Sequence, residues 1–174
     1  MGYTHCYKLK SKPTQKKWDA FVTECKMLHE NLPSHSKSAG GFYGDDILTI
    51  CGSDGDGKPV FNEYQVCFNG DADADMSHET FYLDKESTGF NFCKTARKPY
   101  DLLVMACLIA ASRTIGLVFA SDGFTDYKGV KECNDLLPAM NFYNVTIKPM
   151  NDITGDEDIV TENELWLIRK KYKN

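Results

Sequence analysis

The stretch KPYDLLVMACLIAASR, residues 98–113, decides the fold. Pro99 stands where the first turn of a helix tolerates proline, and the residues at 102–111 are apolar around nearly the whole helix. Such a helix has to be covered on every side, so the sequence predicts a buried, central helix over 100–113. The run LVFASDG at 117–123 then predicts a short buried strand followed by a turn.

Strand and helix patterns alternate along the rest of the chain. Residues 14–32 place apolar side chains at steps of three and four, which predicts an amphipathic helix that Pro33 ends. A further helix is predicted at 127–137, before a proline. The remaining segments with strand patterns are 3–9, 46–52, 59–70, 78–84, 90–93 and 141–149.

These elements predict a single α+β domain over residues 1–174. We expect an antiparallel sheet of about five or six strands packed against about two to four helices, including the buried central one. The polar run SDGDGK at 53–58 predicts a hairpin turn within that sheet. Residues 34–44 and 150–163 are expected to be mobile or exposed loops, because the first is rich in serine and glycine and the second is acidic.

Composition and charge narrow the classes of function. A net charge of −5 and a pI of about 5.4 argue against a protein that binds nucleic acid through a general basic surface. The seven cysteines lack the spacing of a zinc site and are expected to be reduced thiols. The N-terminus lacks the apolar region of a signal peptide, and the longest apolar run is too short to span a membrane. We therefore expect a cytoplasmic protein without a cofactor.

One acidic run resembles the opening of a calcium-binding loop. Asp71, Asp73 and Asp75 have the spacing of the first three ligands of an EF-hand. However, Met76 stands where that loop needs glycine, and Tyr82 stands where it needs glutamate. We therefore predict no metal site.

The stretch GFNFCKTARKPYD, residues 89–101, contains the main candidate site. Lys94, Arg97 and Lys98 precede the predicted central helix, whose positive dipole end and free N–H groups favour phosphate or carboxylate. Thr95 either caps the helix or donates to the same anion, and Asp101 either orients Arg97 or satisfies the dipole. Two interpretations stay open, namely a solvated helix start and an anion site.

Aromatic and histidine side chains extend this candidate site. Tyr3, Tyr100, Phe90 and Phe92 could each stack on a base or ring, although the two phenylalanines alternate onto one strand face and could equally belong to the core. His5 and His78 are candidates for acid–base chemistry. The predicted ligand-binding residues are Lys94, Thr95, Arg97, Lys98, Tyr100, Tyr3, His5 and His78.

Three blocks of the sequence carry a resemblance to a known group. MGYTH at 1–5, HETF at 78–81 and FNFCKTARKPYDLLV at 90–104 resemble a family of small, uncharacterised proteins of bacteriophages and their bacterial hosts. The resemblance covers about a quarter of the chain, and the chain departs from it at Cys6-Tyr7, where the family has an aromatic pair. It implies an accessory protein in a bacterial cytosol, without implying an activity.

Three functions remain as hypotheses. The first is a phage-type accessory protein that binds a phosphorylated, nucleotide-like small molecule and sequesters a host immune signal, which requires affinity but no nucleophile. The second is a phosphoesterase or nucleotide hydrolase that uses His5 or His78 with Asp122 or Glu79. The third is a protein–protein inhibitor with an acidic face at 152–164. A homo-oligomer in which a neighbouring chain completes the site is left open.

Overall fold

A computed structural model describes residues 3–36, 46–122, 139, 142–144, 146 and 147 of the chain. Two helices and nine strands have both ends within these residues, and residues 139, 142–144, 146 and 147 are helical as well. The helices are α1 (Gln15–Glu30) and α2 (Asp101–Thr114). The strands are β1 (Thr4–Leu9), β2 (His35–Ser36), β3 (Asp46–Ile47), β4 (Ile50–Cys51), β5 (Val60–Phe61), β6 (Gln65–Gly70), β7 (Phe81–Asp84), β8 (Asn91–Lys94) and β9 (Leu117–Ser121).

The strands form three antiparallel sheets. The first has the order β8–β1–β9, so that the N-terminal strand lies between two strands from the second half of the chain. In the second, β6 pairs with β4, β5 and β7, and the third is the short β2–β3 ribbon. With both helices packed on this framework, the predicted α+β class is confirmed.

The register of the first sheet determines which side chains meet. His5 on β1 lies opposite Cys93 on β8 and opposite Ser121 on β9. Directly opposed residues of antiparallel strands point to the same face, so these three side chains share one side of the sheet. That side is buried, because the exposed fractions of His5 and Cys93 are 0%.

Helix α2 is the central helix that the sequence predicts. Every residue from Leu103 to Ala111 is buried, and α1 covers part of α2 with the side chains of its own apolar face. Thr14 caps the start of α1 by accepting a hydrogen bond from the Lys17 amide at 3.4 Å. None of the helices among the described residues has the length and apolar character needed to cross a membrane.

Three predictions about individual elements are wrong. The predicted strand 59–70 is a hairpin of β5 and β6, because the Asn62 carboxamide accepts the amides of Tyr64 and Gln65 and closes a turn there. The predicted hairpin turn at 53–58 is instead a loop between β4 and β5, and these two strands do not pair with each other. β4 pairs with the C-terminal end of β6.

The third error lies near the C-terminus. Residues 142–144, 146 and 147, predicted as part of a strand, are helical. Ala139, Tyr143 and Ile147 are buried at steps of four, which is the spacing of one helix face, and this packing outweighs the strand preference of the aromatic and β-branched residues. The helix predicted at 127–137 and the loop predicted at 150–163 lie outside the described residues, as does most of the loop predicted at 34–44.

Candidate functional site

The connection between β8 and α2 has an unusual backbone. Ala96 and Arg97 both lie in the left-handed region, with φ of 50° and 57°. Each non-glycine residue in that region costs about 1–3 kcal/mol and persists only where the surroundings enforce it. We refer to residues 95–98 as the 95–98 loop. It is closed by a hydrogen bond from the Lys98 amide to the Thr95 carbonyl at 2.9 Å.

Hydrogen bonds connect four buried polar side chains, one of which is Thr95 of this loop. The Asp101 Oδ1 atom accepts from the Thr95 hydroxyl at 2.6 Å and from His5 Nε2 at 2.6 Å. His5 Nδ1 lies 2.9 Å from Ser121 Oγ. Because a carboxylate only accepts, His5 Nε2 donates, and Nδ1 of a neutral ring is left to accept from the Ser121 hydroxyl. We call Ser121, His5, Asp101 and Thr95 the buried polar chain.

The buried polar chain is enclosed on all sides. The exposed fraction is 0% for His5, Asp101 and Thr95, and 8% for Ser121. Ser121 Oγ also lies 3.8 Å from the Met105 sulfur. The second carboxylate oxygen of Asp101 is buried and has no hydrogen-bond partner among the residues that the structure describes. Buried polar groups that are nearly all paired fix a unique local geometry, so this chain holds the 95–98 loop in position.

The structure pairs the three predicted cations with three different partners. The Arg97 guanidinium lies over the Tyr3 ring, 4.5 Å from its centroid. Lys94 Nζ lies 3.8 Å from Glu79 Oε1, and Lys98 Nζ lies 3.5 Å from Asp75 Oδ2. Tyr3 and Arg97 thus come together next to the buried polar chain, where the Tyr3 ring also makes an edge contact with His5 at 5.0 Å.

His78 and Tyr100 contact backbone carbonyl oxygens at the end of β8 and beside it. His78 Nδ1 contacts the Lys94 carbonyl oxygen at 2.7 Å. The Tyr100 hydroxyl donates to the Glu79 carbonyl oxygen at 2.7 Å, and its ring is fully buried. The Glu79 carboxylate accepts the Lys94 amide at 2.8 Å. These contacts secure the strand that leads into the loop.

Cys93 and Phe92 lie on opposite faces of β8, and Phe90 directly precedes that strand. Phe90 and Phe92 are 67% and 52% exposed, so they do not belong to the core. Cys93 is buried, and its thiol lies 3.3 Å from the Glu79 carbonyl oxygen. Burial, followed by the nearby carboxylates of Asp101 and Glu79, raises the pKa of the Cys93 thiol far above its ordinary value. A protonated, buried thiol is a poor nucleophile.

The hydrolase hypothesis predicted other acid–base pairs than those the structure forms. His5 contacts Asp101, whereas Asp122 accepts the Thr4 amide at 2.8 Å. Sequence reasoning missed Ser121 as a partner of His5, because the two residues meet only through the pairing of β1 with β9.

The acidic run near β6 forms a loop of its own. Asp71 Oδ1 accepts the amides of Asp73 and Ala74 at 3.0 and 3.2 Å. These bonds turn the backbone through the side chain of the first aspartate. Within the part of the chain that the structure describes, His, Cys, Asp and Glu side chains form no group of three or more that could hold a metal ion.

Described residues of the three sequence blocks at 1–5, 78–81 and 90–104 meet in this region. Tyr3 and His5 come from the first, His78 and Glu79 from the second, and the 95–98 loop from the third. Comparison with models of protein families, with curated proteins and with solved structures finds no match for the chain. The assignment of a function therefore depends on the geometry of this region.

Proposed function

We propose that this protein binds a phosphorylated, nucleotide-like small molecule at the 95–98 loop and does not cleave it. The observation that carries the proposal is the pair of successive left-handed residues, Ala96 and Arg97, which a buried polar chain holds in place. Strained backbone of this kind is concentrated at ligand-binding and active sites, where it fixes groups before the ligand arrives.

The charges around the loop favour an anionic group. Lys94, Arg97 and Lys98 lie within five residues, directly before the N-terminus of α2. The dipole of a helix of this length adds positive potential at the same end, of which the Asp101 carboxylate in the first turn offsets a part. A guanidinium presents paired N–H donors that match the oxygens of a phosphate, and Arg97 is oriented by its contact with the Tyr3 ring.

An incoming phosphate would exchange with carboxylates at two of these cations. The side chain of Asp75 is 98% exposed, whereas that of its partner Lys98 is 16% exposed. The carboxylate can therefore swing into solvent while the ammonium stays. At the second cation, Glu79 Oε1 can release Lys94 Nζ, which lies 3.8 Å away, while Oε2 keeps its hydrogen bond to the Lys94 amide. A phosphate group of charge about −1.5 to −2 competes well with a single exposed carboxylate.

Burial of the acid–base groups supports binding rather than hydrolysis. Ser121, His5 and Asp101 are joined in the same order as the nucleophile, base and orienting carboxylate of a serine hydrolase, but with the two ring nitrogens exchanged, because Nδ1 of His5 faces Ser121 and Nε2 faces Asp101. This arrangement favours hydrolysis as the second candidate function. However, His5 and Asp101 are completely enclosed, and a nucleophile has to reach the reacting atom of its substrate. The chain is better suited to hold the loop than to attack a ligand.

The proposal is tested by incubating the protein with a panel of nucleotides that includes cyclic dinucleotides and ADP-ribose derivatives. The protein is removed by filtration, the filtrate is analysed for depletion, and the retained protein is heat-denatured to release its ligand. We expect one class of nucleotide to be depleted and then recovered intact. If no nucleotide is depleted, the proposal is wrong. Recovery of an altered nucleotide supports hydrolysis, and in that case the Ser121→Ala variant should no longer alter the nucleotide.

Variants locate the binding to the loop. Arg97→Ala keeps the Cβ atom and therefore the backbone strain, but it removes the guanidinium. We expect it to weaken binding about tenfold or more, as the loss of charge-assisted hydrogen bonds worth about 1.5–3 kcal/mol predicts. The matched control is Lys12→Ala, which removes an exposed cation paired with Glu86. Equal binding by Arg97→Ala and Lys12→Ala would place the ligand elsewhere.

A host immune signal is the specific ligand class that the bacteriophage resemblance suggests. Its sequestration in a bacterial cytosol stays a prediction, and the same panel tests it, because the cyclic dinucleotides and ADP-ribose derivatives represent such signals. The inhibitor hypothesis depends on residues 152–164, which lie outside the described part of the chain.

A further inference from the structure

The loop between β4 and β5, residues 52–59, contains two aspartate–glycine pairs, Asp54–Gly55 and Asp56–Gly57. A third pair with related chemistry, Asn69–Gly70, ends β6. In such a pair the glycine nitrogen can attack the side-chain carbonyl carbon of the preceding residue, because glycine has no side chain that hinders the approach. The position in which the fold holds that nitrogen therefore decides which pair reacts.

The fold brings the reacting groups of Asp56 and Gly57 together. The Gly57 amide nitrogen lies 2.6 Å from Asp56 Oδ1, so the side chain is folded back onto the peptide bond that follows it, and the carbon to be attacked is bonded directly to that oxygen. Both residues are exposed, and a Cβ atom at Gly57 would meet nothing within 4 Å. Groups held next to each other in this way react faster than groups that have to find each other.

We propose that Asp56 is a site of isoaspartate formation, at which the backbone of the 52–59 loop is rerouted through the Asp56 side chain. The Gly57 nitrogen attacks Cγ of the protonated carboxyl group, a C–N bond forms, and the carboxyl hydroxyl leaves with the amide proton as water. The product is a cyclic succinimide. Water then adds to the Asp56 backbone carbonyl carbon and breaks its bond to the Gly57 nitrogen, which leaves that carbon as a free carboxylate. One water is lost and one is gained, so the mass is unchanged and no oxidant is needed.

The other aspartate–glycine pair of the loop is held differently. The Gly55 amide donates to the Gly52 carbonyl oxygen at 3.1 Å, so its nitrogen is directed to another acceptor than Asp54. Gly55 is also buried, and its carbonyl oxygen accepts the Ala72 amide at 2.9 Å. Because these contacts fix Gly55 on both sides, we expect Asp54 to react much more slowly than Asp56.

Burial protects the asparagine–glycine pair. The Gly70 amide does donate to Asn69 Oδ1, at 2.8 Å, but both residues are buried at the end of β6. The Asn69 carboxamide also donates to the His78 carbonyl oxygen at 2.8 Å and accepts the His78 amide at 3.1 Å, and the Met76 carbonyl occupies the space next to Gly70. Ring closure would break this network and release ammonia into a closed space, so the intrinsically most reactive pair is inert in the folded protein.

Isomerisation would alter the hydrogen bonds that close the 52–59 loop. An isoaspartate adds one carbon atom to the backbone at residue 56. The carbonyl oxygens of Asp56 and Gly57 both accept the Gly52 amide, at 2.8 and 3.2 Å, so the added atom lies directly between these two acceptors. The modification would therefore change the connection between β4 and β5.

The test incubates the folded protein for several weeks at neutral pH and physiological temperature, beside a sample unfolded in guanidinium. Both are digested under mildly acidic conditions. Electron-transfer fragmentation locates isoaspartate in the peptides, and methyl transfer from S-adenosylmethionine by an isoaspartate methyltransferase quantifies it. In the folded protein we expect isoaspartate at residue 56 to form about tenfold or more faster than at residue 54, and none at residue 69. In guanidinium, residue 69 should react first and the two aspartates at similar rates.

Two results would overturn the proposal. The first is a folded protein without isoaspartate at residue 56, and the second is formation at residue 54 that is as fast as at residue 56. Asp56→Glu keeps the carboxylate but requires a larger ring, so it should abolish the modification at that position. Asp54→Glu is the matched control and should leave the rate at Asp56 unchanged. The map of the unsubstituted protein decides the question even if a variant fails to fold.

Discussion

Replacement of Asp101 by alanine removes the acceptor that joins β1, the 95–98 loop and α2. The Oδ1 atom of Asp101 accepts two hydrogen bonds of 2.6 Å, from His5 and from Thr95. Hydrogen bonds to a charged group contribute about 1.5–3 kcal/mol each, and both donors would remain buried without their partner. The two bonds together predict a loss of about 3–6 kcal/mol, which is a large part of the stability of a domain of this size.

Urea denaturation of three variants measures this loss and apportions it. Asp101→Asn keeps an oxygen acceptor in place, so we expect it to lose about 1–2 kcal/mol, clearly less than Asp101→Ala. Thr95→Val removes one of the two donors and should lose a similar amount. Because Thr95 and Asp101 contact each other, the double variant should show a coupling of about 0.5–3 kcal/mol. A loss below about 1 kcal/mol for Asp101→Ala would refute the reasoning, because the two hydrogen bonds would then contribute less than a single ordinary one.

Two further predictions concern the packing of α1. Tyr143→Phe should lower the free energy of unfolding by about 1–2 kcal/mol, because the Tyr143 hydroxyl donates to Glu24 at 3.2 Å and accepts from Arg113 at 3.1 Å. Urea denaturation measures this loss, and an unchanged midpoint would contradict the prediction. Burial lowers the pKa of His29 from its ordinary 6.5, so the folded protein favours the neutral ring. The neutral ring is compatible with the fold above pH 6.5, and the folded protein loses stability relative to the unfolded chain as the pH falls below that value. His29→Gln should therefore show a flatter decline of the urea midpoint on acidification below pH 6.5, whereas parallel curves for the two proteins would exclude His29 as a cause.

The central helix could be predicted because its signal is local. A run that is apolar around the whole helix has only one stable environment, and α2 is buried along most of its length. The segment at 141–149 shows the opposite case. Its aromatic and β-branched residues favour a strand locally, and only the burial of Ala139, Tyr143 and Ile147 in the core reveals a helix.

Lys94, Arg97 and Lys98 can be singled out from the sequence, because they are cations that precede a predicted helix start. Tyr3 and His5 can be singled out only as an aromatic residue and a histidine, and their place beside Arg97 and Asp101 depends on the pairing of β1 with β8. The left-handed backbone of the 95–98 loop cannot be predicted from the sequence, because neither Ala96 nor Arg97 is a residue that favours positive φ. The pairing of His5 with Asp101 depends on the assembly of β8, β1 and β9 around one helix end, which no local pattern encodes.

The long sequence separations within the buried polar chain have a consequence for the lifetime of the folded protein. His5 is 96 positions from Asp101 and 116 positions from Ser121, so we expect these contacts to form late, after the rate-limiting step of folding. Contacts that form after the rate-limiting step of folding change the unfolding rate and hardly affect the folding rate. A loss of about 3 kcal/mol at Asp101 would then shorten the half-life of the native state about a hundredfold, while the refolding rate after dilution from urea would be nearly unchanged.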